Sequence, residues 1–447
     1  MHISLSEHFS YRKLLRFTFP SVIMMIFTSI YGVVDGLCVS NFVGKTPFAA
    51  INLIWPFLMI LGCAGFMIGT GGSALVSKTM GEGDPERANR YFSLLVLFTV
   101  ILGVSITIPG FFLIEPVAIL LGADEAMLPY CVTYGRILLA GQTAFMLQGV
   151  FQSFLVTAER PTLGLLVTVG AGVTNMVLDV LFIAILDWGI TGAAAATVTS
   201  QAVGGIIPLI YFLLPNKSPL RITRPKLGLL QGLKVIGKVI VNGSSELMTN
   251  ISMSVVSMLY NARLMALAGE DGIAAYGVMM YVGFVFVAVF IGFAIGSAPI
   301  VGFHYGAGNH AELKSILRKS VILTSLAGVC MMGLSAALST PLSGIFVGYD
   351  EGLYELTRRG FLLYSFSFLF AGFGILGSSF FTALGNGVVS AAISFLRTLV
   401  FQVSAVLILP IFLGVDGVWL SVTAAEVLAT AVTAAFLVGM RKKYKYM

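Results

Sequence analysis

The run "TNMVLDVLFIAIL", residues 174–186, is apolar nearly throughout except for Asn175 and Asp179. Four residues apart, these two side chains share one face of a helix. A carboxylate in such a setting costs at least roughly 2.5 to 3.5 kcal/mol at a helix centre, so something must offset it. Asp35 offers a partner. It lies nineteen residues beyond Arg16, and Asp179 lies nineteen beyond Arg160. If both arginines mark one membrane surface, both carboxylates stand roughly 28 Å above it at 1.5 Å per residue. Thr197, ten residues past Asp187, descends to the same region if the helices tilt. Two carboxylates, an amide and a hydroxyl at one depth form an oxygen-rich set suited to a hard monovalent cation or a shared proton. The plainer alternative is carboxylates snorkelling to an interface, with Asn175 and Thr197 in ordinary interhelical hydrogen bonds.

The elements that position these residues follow from composition. Of the 447 residues, 57% are hydrophobic and only 10% charged, and mean hydropathy is +0.97. Soluble domains are about half apolar and a quarter charged. The chain is an integral membrane protein, and its apolar runs of about 20 to 28 residues read as helices long enough to cross about 30 Å of hydrocarbon. Twelve are expected, near 17–41, 48–76, 92–121, 130–157, 162–186, 190–214, 239–265, 272–301, 319–346, 356–384, 388–412 and 416–440. Cations gather in alternate connections: Arg12, Lys13 and Arg16; Lys78, Arg87 and Arg90; Arg160; the basic segment from Lys217 to Lys238; Lys314, Arg318 and Lys319; and the tail "RKKYKYM". The opposite connections carry mostly acids. This asymmetry predicts a multi-pass protein of the plasma or inner membrane with both termini cytoplasmic. Cys38, Cys63, Cys131 and Cys330 fall within or beside apolar spans at no metal-like spacing, and free buried thiols are expected.

The chain matches itself at an offset of 225 residues. Gly71, Gly81 and Gly83 fall on Gly296, Gly306 and Gly308; Gly189 and Gly192 fall on Gly414 and Gly417. The expected organisation is an amino-terminal six-helix lobe with the cation site, 1–215, a basic linker, 216–230, and a carboxy-terminal six-helix lobe, 231–447. Six is even, so the two bundles should be related by a pseudo-twofold along the membrane normal, with substrate handled between them. At this offset Asp35 maps to Tyr260, Asn175 to Val400, Asp179 to Ser404 and Thr197 to Val422. The scaffold was duplicated; the polar set was not.

The opening "RFTFPSVIMMIFTSIYGVVDGLCVSNFVG", the "NMVLD" of the fifth span and "GITGAAAATVTSQ" resemble the multidrug and toxic compound extrusion (MATE) family over essentially the whole chain, closest to its MepA-like bacterial members. The resemblance implies a secondary antiporter that expels cationic, often aromatic, compounds in exchange for protons or sodium ions. It marks Asp35, Asn175, Asp179 and Thr197 as the cation-coupling site, which could hold Na+, and Pro20 as a hinge in the first helix. Glu246 matches a glutamate that NorM-type relatives use for cations, but the aspartate of their tenth helix is absent here, which puts a second ion site in doubt. For the substrate cavity Glu246, Met248, Tyr260 and Glu426 are the candidates; flexible methionine and flat aromatic faces suit aromatic cations.

No phosphate loop, H-E-x-x-H or G-x-S-x-G motif is present, so the chain is not expected to be an enzyme and no cofactor is expected. The expected partners are small cationic drugs or dyes and membrane lipids, not nucleic acid, and the protein is expected to be a monomer. The competing reading is a lipid-linked sugar flippase or exporter of the same superfamily, whose cavity would be lined with cations for phosphate.

Overall fold

A computed structural model describes residues 3–224 and 228–446. His2 and, from the expected linker, Pro225, Lys226 and Leu227 lie outside the described residues. The described elements are all helical: α1 (Tyr11–Phe42), α2 (Lys45–Gly81), α3 (Pro85–Leu120), α4 (Leu128–Ala140), α5 (Gln142–Thr157), α6 (Pro161–Asp179), α7 (Gly189–Leu213), α8 (Leu229–Gly306), α9 (His310–Val347), α10 (Glu351–Ser365), α11 (Phe368–Ala383), α12 (Gly387–Phe395), α13 (Gln402–Leu413) and α14 (Val415–Tyr444). Short π-helical turns, Val180–Ile185 and Leu396–Phe401, extend α6 and join α12 to α13.

Among the described residues nine helices are long and apolar enough to cross a membrane, and α10 with α11, bent by 50°, form another crossing. Two further crossings complete the twelve. At 78 residues α8 is too long for one span, and its chain turns over at Gly269, φ 62°. Helices α4 and α5, too short singly, adjoin at Gly141 as one broken span. The protein is therefore an all-α membrane protein of two six-helix bundles.

Local chemistry sets the helix ends. In "GEGDPER" Gly83 takes φ +83°, Asp84 accepts the Arg87 amide and Pro85 opens α3. At the 225-residue offset Gly308 takes φ +67° and Asn309 accepts the Glu312 amide. Gly44 and Gly269, like Gly189 and Gly414, are also pairs at positive φ. The break after Ala140 in the fourth span recurs after Ser365 in the tenth. The duplication is thus present in backbone conformation at places where only glycine is free of strain.

The chain divides into two compact units: one holds the segment through Glu7 and Phe27–Gly243, the other His8–Ile26 and the chain from Ser244 onward. These bounds depart from the expected 1–215 and 231–447, because the first half of α1 packs with the second unit and the first part of α8 with the first. Glycines allow it. A methyl group on Gly71 would lie 2.7 Å from the Gly243 nitrogen in the first unit, and one on Gly292 would lie 2.5 Å from the Val22 Cα in the second. The core of the first unit centres on Phe92, Phe151, Phe154 and Phe212, whose rings meet at 4.8 to 6.5 Å. That of the second centres on Tyr260, Tyr276, Phe361 and Trp419. Large apolar side chains such as Phe112, Leu120 and Ile411 face outward, as a lipid surroundings requires. Cys330 is exposed and Cys38 half-buried, so only Cys63 and Cys131 are the buried thiols expected.

Candidate functional site

Within the first unit, Gly172, Asn175 and Asp179 follow one another along one face of α6 at helical spacing. Gly172 has no side chain to hold α1 away: a methyl group there would meet the Phe27 ring at 2.5 Å and Tyr31 Cδ1 at 3.1 Å. This close approach carries Asp35, two turns beyond Phe27, up against Asp179 and Asn175. Asp179 is 0% and Asn175 2% exposed, and Asp35 is half-buried. One turn further along from Asp35 and Asp179, Val39 and Ile183 pack with Ala193 in a small apolar cluster.

Helix α7 supplies the fourth expected member. Gly192 lies against the backbone of Phe182 in the π-helical turn, where a methyl group would be 3.0 to 3.1 Å away, and Thr197 stands beyond it on the inner side. The Thr197 hydroxyl donates to the Ala193 carbonyl at 3.0 Å, leaving its lone pairs to accept or to ligate. Tyr134 on α4, 3% exposed, neighbours both carboxylates and Thr197, and Asn175 stands against Asp35. Nothing in its sequence spacing placed α4 at this site. Tyr31, one turn before Asp35 on α1 and within its reach, is marked in the sequence by the same i, i+4 spacing.

The polar atoms are left unmatched. Among the described residues Asp35 Oδ1, both Asp179 oxygens and Asn175 Nδ2 are buried without a hydrogen-bond partner. Such groups in the low-dielectric interior carry a desolvation cost that a bound proton or cation removes. The donors fit a hard monovalent ion: two carboxylates, an amide oxygen and hydroxyls, with no third acid grouped with them among the described residues. A π-helical turn begins at the residue after Asp179, a local irregularity that is frequent at functional sites.

The corresponding region of the second unit is chemically filled. Tyr260, a substrate-cavity candidate, is 1% exposed, meets the Ser421 hydroxyl at 2.5 Å and stacks on Tyr276 at 5.2 Å. Glu426, a second candidate, is 2% exposed and held by Arg397, whose Nε and Nη2 donate to it at 2.9 to 3.0 Å. Its charge is answered within the unit, and the side chains of both residues are committed to packing. Glu246 and Met248 are half-buried on α8, and the Glu246 backbone carbonyl accepts from the Asn250 side-chain amide. Helix α1 runs unbroken through Pro20.

Twelve crossings in two bundles of six, with a pair of carboxylates inside one of them, define a membrane transporter. The MatE family model matches residues 20–181 and 247–407, one stretch in each half, and the chain belongs to that family. It is similar to the multidrug export protein MepA of Staphylococcus saprophyticus, 25% identical over 370 residues, 81% of this chain and 80% of that protein. The MepA of Staphylococcus aureus is 21% identical over 422 residues, 93% of this chain and 91% of that one. Among solved structures, the outward-facing form of a multidrug resistance MATE family transporter of the MOP superfamily superposes with a TM-score of 0.92 at 23% identity, covering 99% of this chain and 98% of the other. A MOP superfamily transporter from Pyrococcus furiosus superposes at 0.91, also at 23% identity and with the same coverage.

Proposed function

We propose that this protein is a secondary multidrug efflux antiporter that exports cationic or amphipathic aromatic compounds in exchange for a proton or sodium ion bound by Asp35, Asp179, Asn175 and Thr197, with Tyr134 as a fifth contributor. The observation that carries this reading is the buried Asp179, neither of whose oxygens has a hydrogen-bond partner, set against Asp35, whose Oδ1 is likewise unmatched. An ion arriving from outside lowers the negative charge of the site by one and favours one conformation of α1, with Pro20 as its hinge. Its release inside restores the charge and the conformation that accepts a cationic compound. The two ligands exchange because each prefers a different state. Glu246 and Met248 are the side chains proposed to meet that compound. The relatives named as multidrug export proteins support the substrate class. The distribution of Lys and Arg supports a plasma or inner membrane protein with cytoplasmic termini.

The sugar-flippase alternative calls for uncommitted cations within the membrane. Of the five arginines away from the basic connections, Arg397 is paired with Glu426, Arg359 with Asp416 and Arg358 with Glu355, Arg136 lies 5.0 Å from the Phe111 ring, and Arg263 is half-buried six residues before the turn at Gly269. Reconstitution decides between the two. Ethidium should be extruded against an imposed proton or sodium gradient, and a lipid-linked sugar should not move. Asp35→Asn and Asp179→Asn should each abolish gradient-driven efflux at normal expression. Full efflux by both variants with unaltered dependence on pH and sodium would overturn the assignment.

A further inference from the structure

An apolar groove lies in the second unit, apart from the carboxylate site. Leu15, Phe19 and Val22 of α1 form one wall, Phe290 and Phe293 of α8 the floor, and Ala327 of α9 the far side. Its volume is ≈ 160 Å³, about that of an apolar cavity that takes up a benzene-sized guest. The lining carries no charged group. The one hydroxyl of α1 within it, Thr18, is satisfied by the Leu14 carbonyl at 3.0 Å. The groove is short along the membrane normal: Leu15 to Val22 spans roughly 10 Å of helix, within a single leaflet of about 15 Å.

One end of the groove is basic. Arg12 precedes Leu15 by three residues and Arg16 precedes Phe19 by three, so both exposed arginines belong to the face of α1 that lines the groove, one turn nearer the helix start. On α9, Lys319 precedes Leu323 by four residues and holds that end of α1 by donating to the Phe9 carbonyl. An apolar slot one leaflet deep, closed by cations at the level where α1 begins, complements a ligand with a hydrocarbon tail and an anionic head. We propose that this groove binds one acyl chain of an anionic phospholipid, its phosphate held by Arg12 and Arg16. Pro20 lies between Phe19 and Val22, so the bound chain braces α1 where a proline leaves its backbone least supported.

The test uses the full-length protein in vesicles of phosphatidylcholine and phosphatidylglycerol, with one or the other carrying a photoactivatable diazirine on its acyl chain. Both lipids are present in both leaflets, so the result does not depend on orientation. Labelled peptides are located by mass spectrometry, and the outward face of α3 around Phe112 reports the lipid annulus. Phosphatidylglycerol should label residues 15–22 and 323–327 far more than phosphatidylcholine, while α3 is labelled alike by both. Each of Arg12→Ala and Arg16→Ala should cut that preference about fivefold, and the pair roughly thirtyfold. Ala327→Phe, or Val289→Phe if the first fails to fold, should abolish groove labelling and leave α3 labelling intact. Equal labelling of the groove by both lipids, persistence in the filled variant, or displacement by ethidium, which would assign the groove to the transported compound, would each overturn the proposal.

Discussion

Gly172 of α6 faces Phe27 of α1 so closely that a methyl group on it would lie 2.5 Å from the Phe27 ring. Seven residues beyond the one stands Asp179, and eight beyond the other stands Asp35. The contact therefore fixes how far apart the two carboxylates are held. A leucine in place of Gly172 should wedge the helices apart at a cost of about 1 to 3 kcal/mol and lower gradient-driven dye efflux roughly tenfold or more. Gly170→Leu, on the same helix with nothing within 4 Å, should be near wild type in the same assay. Equal activity of the two variants would separate the contact from the site.

Tyr134 touches the site without being charged. Removing its hydroxyl as Tyr134→Phe keeps the ring that packs with Ile54 and Leu138 and deletes one ligand or donor. The expected result is a coupling-ion affinity weaker by about three- to tenfold, corresponding to a single neutral hydrogen bond, with unaltered expression and thermal stability. Titration of efflux against sodium at fixed pH, and against pH without sodium, gives the shift and names the ion. An unshifted curve in both would remove Tyr134 from the site.

Arg397 and Glu426 should behave as a unit. Glu426→Gln alone leaves a buried guanidinium uncompensated and Arg397→Met a buried carboxylate, each destabilising by about 3 to 5 kcal/mol. The double variant Arg397→Met with Glu426→Leu should recover most of that loss, because two uncharged side chains need no partner. Thermal unfolding in detergent measures it. Single variants as stable as the parent would show that the pair is held open to water.

Glycine at 292 is required by packing and not by backbone angle, since its neighbour is the Val22 backbone. Gly292→Val should lower the unfolding temperature by several degrees and reduce yield, whereas Gly333→Val, in open space, should affect neither beyond about 0.5 kcal/mol. Comparable losses at both positions would mean that helix propensity and not the crossing sets the effect.

Much of this was written in the order of residues. Apolar run length dictated helices, because in lipid every backbone group must be satisfied within its own segment. Glycine at 83 and 308, and at 189 and 414, announced the duplication, because a left-handed turn tolerates few other residues. Asn175 and Asp179 declared a polar helix face, and equal distance from Arg16 and Arg160 set Asp35 at the same depth. These are properties of local geometry or of depth, and both are linear in sequence.

Which side chains occupy a given level together is not linear in sequence, and there the tertiary structure decided. Tyr134 joins the carboxylates because α4 packs against α2 and α7, a choice made by Ile54, Leu138 and Val198 that no spacing in α4 announces. Tyr260 and Glu426 read as cavity residues from type and depth alone; Tyr276, beyond the turn at Gly269, stacks on the one and Arg397 pairs with the other. The halves of α1 and α8 divide between the units because small residues at 71, 243, 292 and 296 let backbones approach, and close approach depends on both surfaces at once. Sequence by itself determined the spans, the repeat and the presence of a charged helix face; packing determined which charges stay unmatched, and so where the proposed ion site lies.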